Sequence, residues 1–284
     1  MKIADVSSYQ GNINWDLAIQ ELDFVILRSS VGDKIDKAYR NNAEALERLR
    51  FPYHAYHYVK AINESQAISE AKVFATSTAG TKPLFYVIDA EYKSINRTKA
   101  KNIMEAFEQE LRNLLGQNIR VAIYIANKLY KKWNLDYARY AYVWIPRYGA
   151  NTGKPDKEPI YYCDLWQYTS KGRVNGIKGN VDLSEIPFLG EHTIEYFLSD
   201  KPNLNYDKVK PLIIKHTLRQ GDIGGEVIDL QKQLIELGYD LGEENSNGIF
   251  GSQTKYAVKQ FQRDHELVID GIVGKRTWAV LSML

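Results

Sequence analysis

Leu84-Phe85-Tyr86-Val87-Ile88-Asp89-Ala90-Glu91-Tyr92 is an apolar run that ends in two carboxylates two residues apart, with no positive charge between them. Its length, its aromatic and β-branched content and the Gly80-Thr81-Lys82-Pro83 boundary predict a buried strand rather than part of a helix. On a strand, residues i and i+2 face the same way with Cα atoms about 6.6 Å apart, so Asp89 and Glu91 share a face. Two carboxylates held together repel when both are ionised, so one keeps its proton to higher pH and can act as a donor. Glycoside hydrolysis needs such a pair. The stretch also reads as a strand end whose acids meet solvent or a basic side chain from elsewhere, and the rest of the chain must separate the two readings.

Working outward, strands and helices alternate. Upstream lie Lys2 to Tyr9, with Asp5 and Ser7 on one face, then a short helix from Asn14 or Trp15. A second strand, Phe24 to Val31, precedes a helical pattern over Asp36 to Arg50. In Tyr53-His54-Ala55-Tyr56-His57-Tyr58-Val59, alternation puts His54, Tyr56 and Tyr58 on one face and His57 on the other, so the two histidines cannot jointly grip a metal. A helix from about Glu64 leads into the central strand. Downstream come a strongly amphipathic helix, about Arg97 to Leu115, and strands at Arg120 to Ala126, Ala141 to Tyr148, Tyr161 to Tyr168 and Asn180 to Leu183. The loops between the last strands are polar and helix-poor. Eight strands in repeated βα units predict an α/β barrel whose last helices are missing. Closure would set the first strand beside the eighth, bringing Asp5 next to Asp182, with Asp89 and Glu91 facing them across the mouth. Tyr56, Tyr58, Tyr124, Trp144 and Trp166, with Gln167 as a polar handle, would supply rings and hydrogen bonds for a sugar.

Composition agrees with an ordinary globular chain: 284 residues, 44% hydrophobic and 25% charged. No stretch approaches the roughly 18 apolar residues of a membrane span, and no basic region plus apolar core opens the chain. The single cysteine, Cys163, excludes an intramolecular disulfide and reads as a small buried hydrophobe. Through residue 190, 26 Lys and Arg stand against 21 Asp and Glu (26 − 21 = +5); beyond it, 11 stand against 14 (11 − 14 = −3). Neither part is basic enough to favour nucleic acid. No cofactor, metal or membrane insertion is expected.

Asp5-Val6-Ser7-Ser8-Tyr9-Gln10-Gly11, Tyr56-His57-Tyr58, Val87-Ile88-Asp89-Ala90-Glu91, Val143-Trp144-Ile145-Pro146-Arg147-Tyr148-Gly149, Leu165-Trp166-Gln167-Tyr168 and Val181-Asp182-Leu183 occur in this order. Together they resemble glycoside hydrolase family 25, a lysozyme family with a flattened barrel, over residues 1–190. The resemblance implies an N-acetylmuramidase that cuts the β-1,4 bond between N-acetylmuramic acid and N-acetylglucosamine in peptidoglycan. It makes Glu91 the general acid and base. Asp89 becomes its partner, as nucleophile or as the group that holds the substrate's attacking N-acetyl, and Asp5 and Asp182 become supporting acids. Ser7, Tyr56, Tyr58, Tyr124, Trp144 and Gln167 are the expected substrate contacts.

Residues 191–215 read as a connector whose start, Glu191 to Leu198, has helical character. From residue 216 a small all-α unit follows, marked by an internal repeat: Asn247-Gly248-Ile249-Phe250-Gly251-Ser252-Gln253-Thr254, and 23 residues later Asp270-Gly271-Ile272-Val273-Gly274-Lys275-Arg276-Thr277. Each copy introduces a helix, for three in all. The segment resembles the peptidoglycan-binding domain of wall hydrolases and implies added avidity for an insoluble polymer.

Three rivals stand against this reading. A zinc amidase lacks paired His or Cys ligands, a non-catalytic wall binder would not need four acids, and a chitinase-like enzyme would use the same acids on a polymer of N-acetylglucosamine. The absence of an export signal from this sequence points to a phage endolysin, made in the host cytoplasm and released through a holin lesion, over a secreted autolysin.

Overall fold

The computed structural model describes residues 1–159, 161–187, 190, 192–199, 217–265, 267–274, 277, 278, 280 and 281. The chain divides after residue 203 into two compact units.

The first unit is a closed barrel. Its strands are β1 (Ile3–Val6), β2 (Phe24–Val31), β4 (Tyr53–Tyr58), β5 (Tyr86–Ala90), β6 (Val121–Ile125), β7 (Val143–Pro146), β8 (Leu165–Gly172) and β9 (Val181–Glu185); a two-residue β3 (Lys34–Ile35) hairpins onto β2. From β1 through β8 the neighbours run parallel. β9 runs antiparallel to both β8 and β1 and closes the ring. The eight expected strands are present, and closure aligns Asp5 directly with Asp182.

Helices α1 (Trp15–Ala18), α2 (Tyr39–Arg48), α3 (Glu64–Thr78) and α4 (Ala100–Leu115) clothe the early strands. Asn14 and Asn63 cap α1 and α3 with their side chains, satisfying amides that a first turn leaves without helical partners. α4 starts three residues after the expected Arg97, because Asn96 accepts a hydrogen bond from the Thr98 amide in a turn ahead of the helix. A single turn, α5 (Tyr130–Trp133), lies between β6 and β7, and no helix separates β7 from β8 or β8 from β9 among the described residues.

The barrel wall has two apolar layers. Alternate residues such as Ala4, Val25, Leu27, Ala55, Ile88, Ile123 and Ile145 pack outward against the helices. Ile3, Phe24, Ile26, Phe85, Val87, Ala122, Tyr142 and Leu165 fill the interior below the mouth. The base is stoppered from outside the strand sequence. Helix α6 (Ile194–Leu198) inserts Phe197, fully buried, against Phe24, Phe85 and Tyr142. His54 sits among these rings and bonds through Nδ1 with the Tyr142 hydroxyl (3.0 Å) and through Nε2 with the Phe197 carbonyl (3.0 Å). The helical start expected for the connector is therefore part of the barrel unit; residues 200–216, which contain most of that connector, lie outside the described residues.

The second unit contains α7 (Gly225–Glu236) and α8 (Ser252–Asp264) around Leu218, Leu230, Leu234, Phe250, Phe261, Val273 and Trp278. Most of the segment expected to form a third helix, after Thr277, lies outside the described residues. The internal repeat has a matching framework. Buried Gln231 of α7 donates to Asn247, the Ile249 carbonyl and Thr254, and accepts from the Gly248 amide. Buried Gln262 of α8 does the same with Asp270, the Ile272 carbonyl, Thr277 and the Gly271 amide. Gly248 and Gly271 have φ of +79° and +73°, and an added Cβ would meet Ile228 at 2.9 Å or Lys255 at 2.8 Å, so both turns require glycine.

Candidate active site

At the C-terminal mouth of the barrel lies a cavity of about 270 Å³ lined by all four predicted acids, Asp5, Asp89, Glu91 and Asp182. Strand register explains the convergence. Asp5 pairs with Asp182 across β1 and β9, Tyr58 with Asp89 across β4 and β5, Asp89 with Tyr124 across β5 and β6, and Tyr124 with Trp144 across β6 and β7. Each of these side chains points inward at the same level. Glu91, just past the end of β5, stands on the same face as Asp89 and nearer the opening; Asp89 is only 8% exposed.

The six expected contact residues, Ser7, Tyr56, Tyr58, Tyr124, Trp144 and Gln167, also line this cavity. Gln167 is a hub: its amide donates to Asp5 Oδ2 at 2.8 Å, and its carbonyl accepts from Tyr124 (3.0 Å) and Tyr148 (2.7 Å). Trp144 is fixed by its indole N–H to Ser184 Oγ at 3.1 Å and by edge-on contact with Tyr124. Ser7 shapes the loop after β1, accepting from the Tyr9 amide while its own amide donates to Gln10.

Trp166 departs from expectation. Its neighbour Gln167 faces inward, so pleating turns Trp166 outward, where it packs in the outer core and donates to the Arg147 carbonyl at 2.8 Å. Five further cavity residues were not singled out from the sequence: Val6, Tyr9, Gln10, Arg28 and Tyr148. Tyr148 lay in a motif, but Arg28 was hidden in the apolar run of β2. Only the inward alternation of Phe24, Ile26 and Arg28 could have found it.

Crowding acids into a buried mouth disfavours their charged forms. Burial, then the charges of Asp182 and Glu91, push the Asp5 carboxyl well up, against the Gln167 hydrogen bond. Burial, Glu91 and Asp5 do the same to Asp89, with Arg28 opposing. Burial raises Glu91, opposed by Lys128 and Lys93, and burial with Glu91 raises Asp182 to about 6. The cluster thus holds its protons to higher pH than free carboxylates do, the direction that a carboxylic acid donor beside a carboxylate requires.

Elsewhere the two buried histidines of β4 are structural. His57 bonds to Ser30 and Glu70 behind the wall, and burial lowers its basicity. Burial likewise lowers His54 to about 3. Cys163 is buried, and the described residues hold no group of three or more His, Cys, Asp or Glu that could bind a metal. Among the described residues no helix is long and apolar enough to cross a membrane.

Comparison with known proteins bears on both units. The model of glycosyl hydrolases family 25 matches residues 4–177, and that of a putative peptidoglycan binding domain matches residues 223–281. An autolytic lysozyme of Clostridium acetobutylicum is 25% identical over 98% of this chain and 77% of its own length. The type VI secretion system spike protein VgrG3 of Vibrio cholerae is 43% identical over 75 residues, which are 22% of this chain and 7% of that protein. Among solved structures, the catalytic domain of endolysin ply40 from bacteriophage P40 of Listeria monocytogenes superposes with a TM-score of 0.60 at 28% identity, covering 66% of this chain and 93% of that one.

Proposed function

Because the chain belongs to family 25 of the glycosyl hydrolases, we propose that it hydrolyses the β-1,4 bond between N-acetylmuramic acid and N-acetylglucosamine in bacterial peptidoglycan. The observation that carries this reading is the gathering of Asp5, Asp89, Glu91 and Asp182 in one cavity, with Asp89 near the end of β5 and Glu91 just beyond it. Glu91, nearer the opening, gives its proton to the leaving glycosidic oxygen as the bond to the anomeric carbon breaks. Asp89, deeper in the mouth, supports the positive charge that develops on that carbon. It does so either by attacking it directly or by holding the substrate's own N-acetyl oxygen in line. Glu91, now a carboxylate, then takes a proton from the water that completes hydrolysis and is restored to the acid. Asp5 raises the proton affinity of Asp89, and Asp182, paired with Asp5 across β1 and β9, lines the same mouth. The Tyr and Trp faces of the cavity suit sugar rings.

Reduction of digested peptidoglycan with borohydride tests this directly. Muramitol at the new ends is the expected product. Glucosaminitol would move the cut to the alternate bond, and new amino termini without reducing ends would refute glycosidase action.

The biological role proposed is that of a phage endolysin, made in the host cytoplasm and released through a holin lesion. The likeness to the Listeria phage catalytic domain supports it. An autolysin is the second reading, favoured by the Clostridium autolytic lysozyme, which is similar along almost the whole chain. Expression in the cytoplasm of a Gram-positive host separates them: an endolysin lyses the culture only when a holin is co-expressed, whereas lysis without holin favours the autolysin.

A further inference from the structure

Among the described residues that line the cavity, Tyr9 is the one whose side chain stands in solvent, at 85% exposure. A lone exposed ring means nothing by itself, but this one is held in place. It sits in a single turn, Ser8–Gln10, that follows β1 and is closed reciprocally: the Ser7 hydroxyl accepts from the Tyr9 amide, and the Ser7 amide donates to Gln10 Oε1 at 2.8 Å. The turn is also tied to β2. Asp36, whose side chain is fully buried, accepts from the Ser8 amide at 3.1 Å and from the Ala38 amide at 2.9 Å, so its carboxylate is fixed. Arg28 donates to that carboxylate through Nε at 2.8 Å and to Ser8 Oγ through Nη2 at 3.3 Å. The guanidinium so held lies over the Tyr9 ring, with Cζ 4.9 Å from the ring centroid.

One face of the ring thus rests on a fixed cation, and the other is open to solvent. An exposed contact of this kind adds little to folding, and a ring in water seals no core. What the brace secures is a flat apolar surface of set orientation at the rim of the cavity that holds the acids. A sugar ring packs its C–H groups on such a surface and leaves its hydroxyls in water, and a surface already ordered loses little freedom when it binds. The size of the cavity says where that surface is needed. Its volume of about 270 Å³ is below the roughly 300–1,000 Å³ of sites that enclose a drug-sized molecule, whereas the proposed substrate is a chain of sugars. The cavity cannot enclose the chain, so a sugar beyond those at the acids has to cross the rim.

We propose that Tyr9 is a substrate-binding residue outside the enclosed cavity: its open face stacks on a sugar ring of the glycan strand beyond those held among the acids, while Arg28 and Asp36 brace it from behind. The inference rests on the proposed glycan substrate and adds the surface that the strand meets as it leaves the mouth.

Steady-state kinetics of the full chain on soluble glycan fragments of graded length test it. Tyr9→Ala removes an exposed side chain and leaves the Arg28–Asp36 pair intact, so the fold should survive. It is expected to raise KM on long fragments about three- to tenfold with kcat held, the mark of lost uniform binding, and the rise should shrink as the fragments shorten. Tyr9→Phe keeps the ring and should keep the parent's KM. Tyr9→Leu, apolar without a flat face, should behave as Tyr9→Ala does. The parent's KM in Tyr9→Ala at every length would overturn the proposal, as would the parent's KM in Tyr9→Leu. A fall in kcat that is equal at all lengths would overturn it too, because the turn rather than the ring would then be what matters. Failure of the underlying reading looks different: the parent chain itself would give no new sugar alcohol after borohydride reduction.

Discussion

At the residue scale, the site consists of carboxylates kept short of their usual ionisation. Glu91→Gln preserves shape and hydrogen bonding but cannot deliver a proton; we expect release of reducing ends to fall by about 10²–10⁴-fold with an unchanged circular dichroism spectrum. The raised acids also set the direction of pH dependence. A carboxyl whose folded pKa exceeds its unfolded one binds more protons in the native state, so its contribution to stability falls as pH rises between the two values. For Asp182 that window runs from about the ordinary carboxylate value to about 6. Asp182→Asn should therefore melt higher than the parent at pH 7, by about 2–4 °C for each kcal/mol of repulsion relieved, with the gap closing near pH 4. Calorimetric scans at the two pH values check this, and an equal gap at both would mean that charge is not the cause. Gln167 is the neutral counterpart: Gln167→Leu leaves buried Tyr124 and Asp5 groups without partners and should cost about 1–3 kcal/mol in denaturant unfolding.

At the scale of elements, strand parity decides what reaches the mouth. The pairing of Asp5 with Asp182 and the shared face of Asp89 and Glu91 were legible in the sequence, because both follow from period-two alternation and the closing of eight strands. Trp166 was misread for want of the same rule, since adjacent Gln167 already held the inward position. Arg28 escaped notice because it follows an apolar run, Phe24 to Leu27, both faces of which are buried, so its inward parity shows only when counted from Phe24 and Ile26. Phe197 was illegible for another reason: α6 is five residues long and precedes a charged, aperiodic segment, so nothing local announces that its ring completes a core assembled from distant strands. Phe197→Ala empties a fully enclosed site and should lower the stability of the first unit by about 3–5 kcal/mol, read as a lower denaturant midpoint for the barrel.

At the scale of the whole molecule, the two units divide the labour of acting on a solid. A weak second attachment raises the local concentration of a catalytic unit without any new contact at its site. A chain truncated after residue 203 should cleave soluble wall fragments as the full chain does and clear intact cells more slowly, by turbidity. Equal clearing would deny the second unit that part. The cut must not be made at residue 190, where the sequence alone would place it, since that removes the stopper of the barrel with the connector.

The stopper also imposes an order in time. The eight strands are all present in a chain that has grown to residue 185, yet its base is open and a ring of Phe24, Phe85 and Tyr142 faces water until residue 197 follows. A nascent barrel is thus sealed last, by a short helix that the chain supplies only after its final strand.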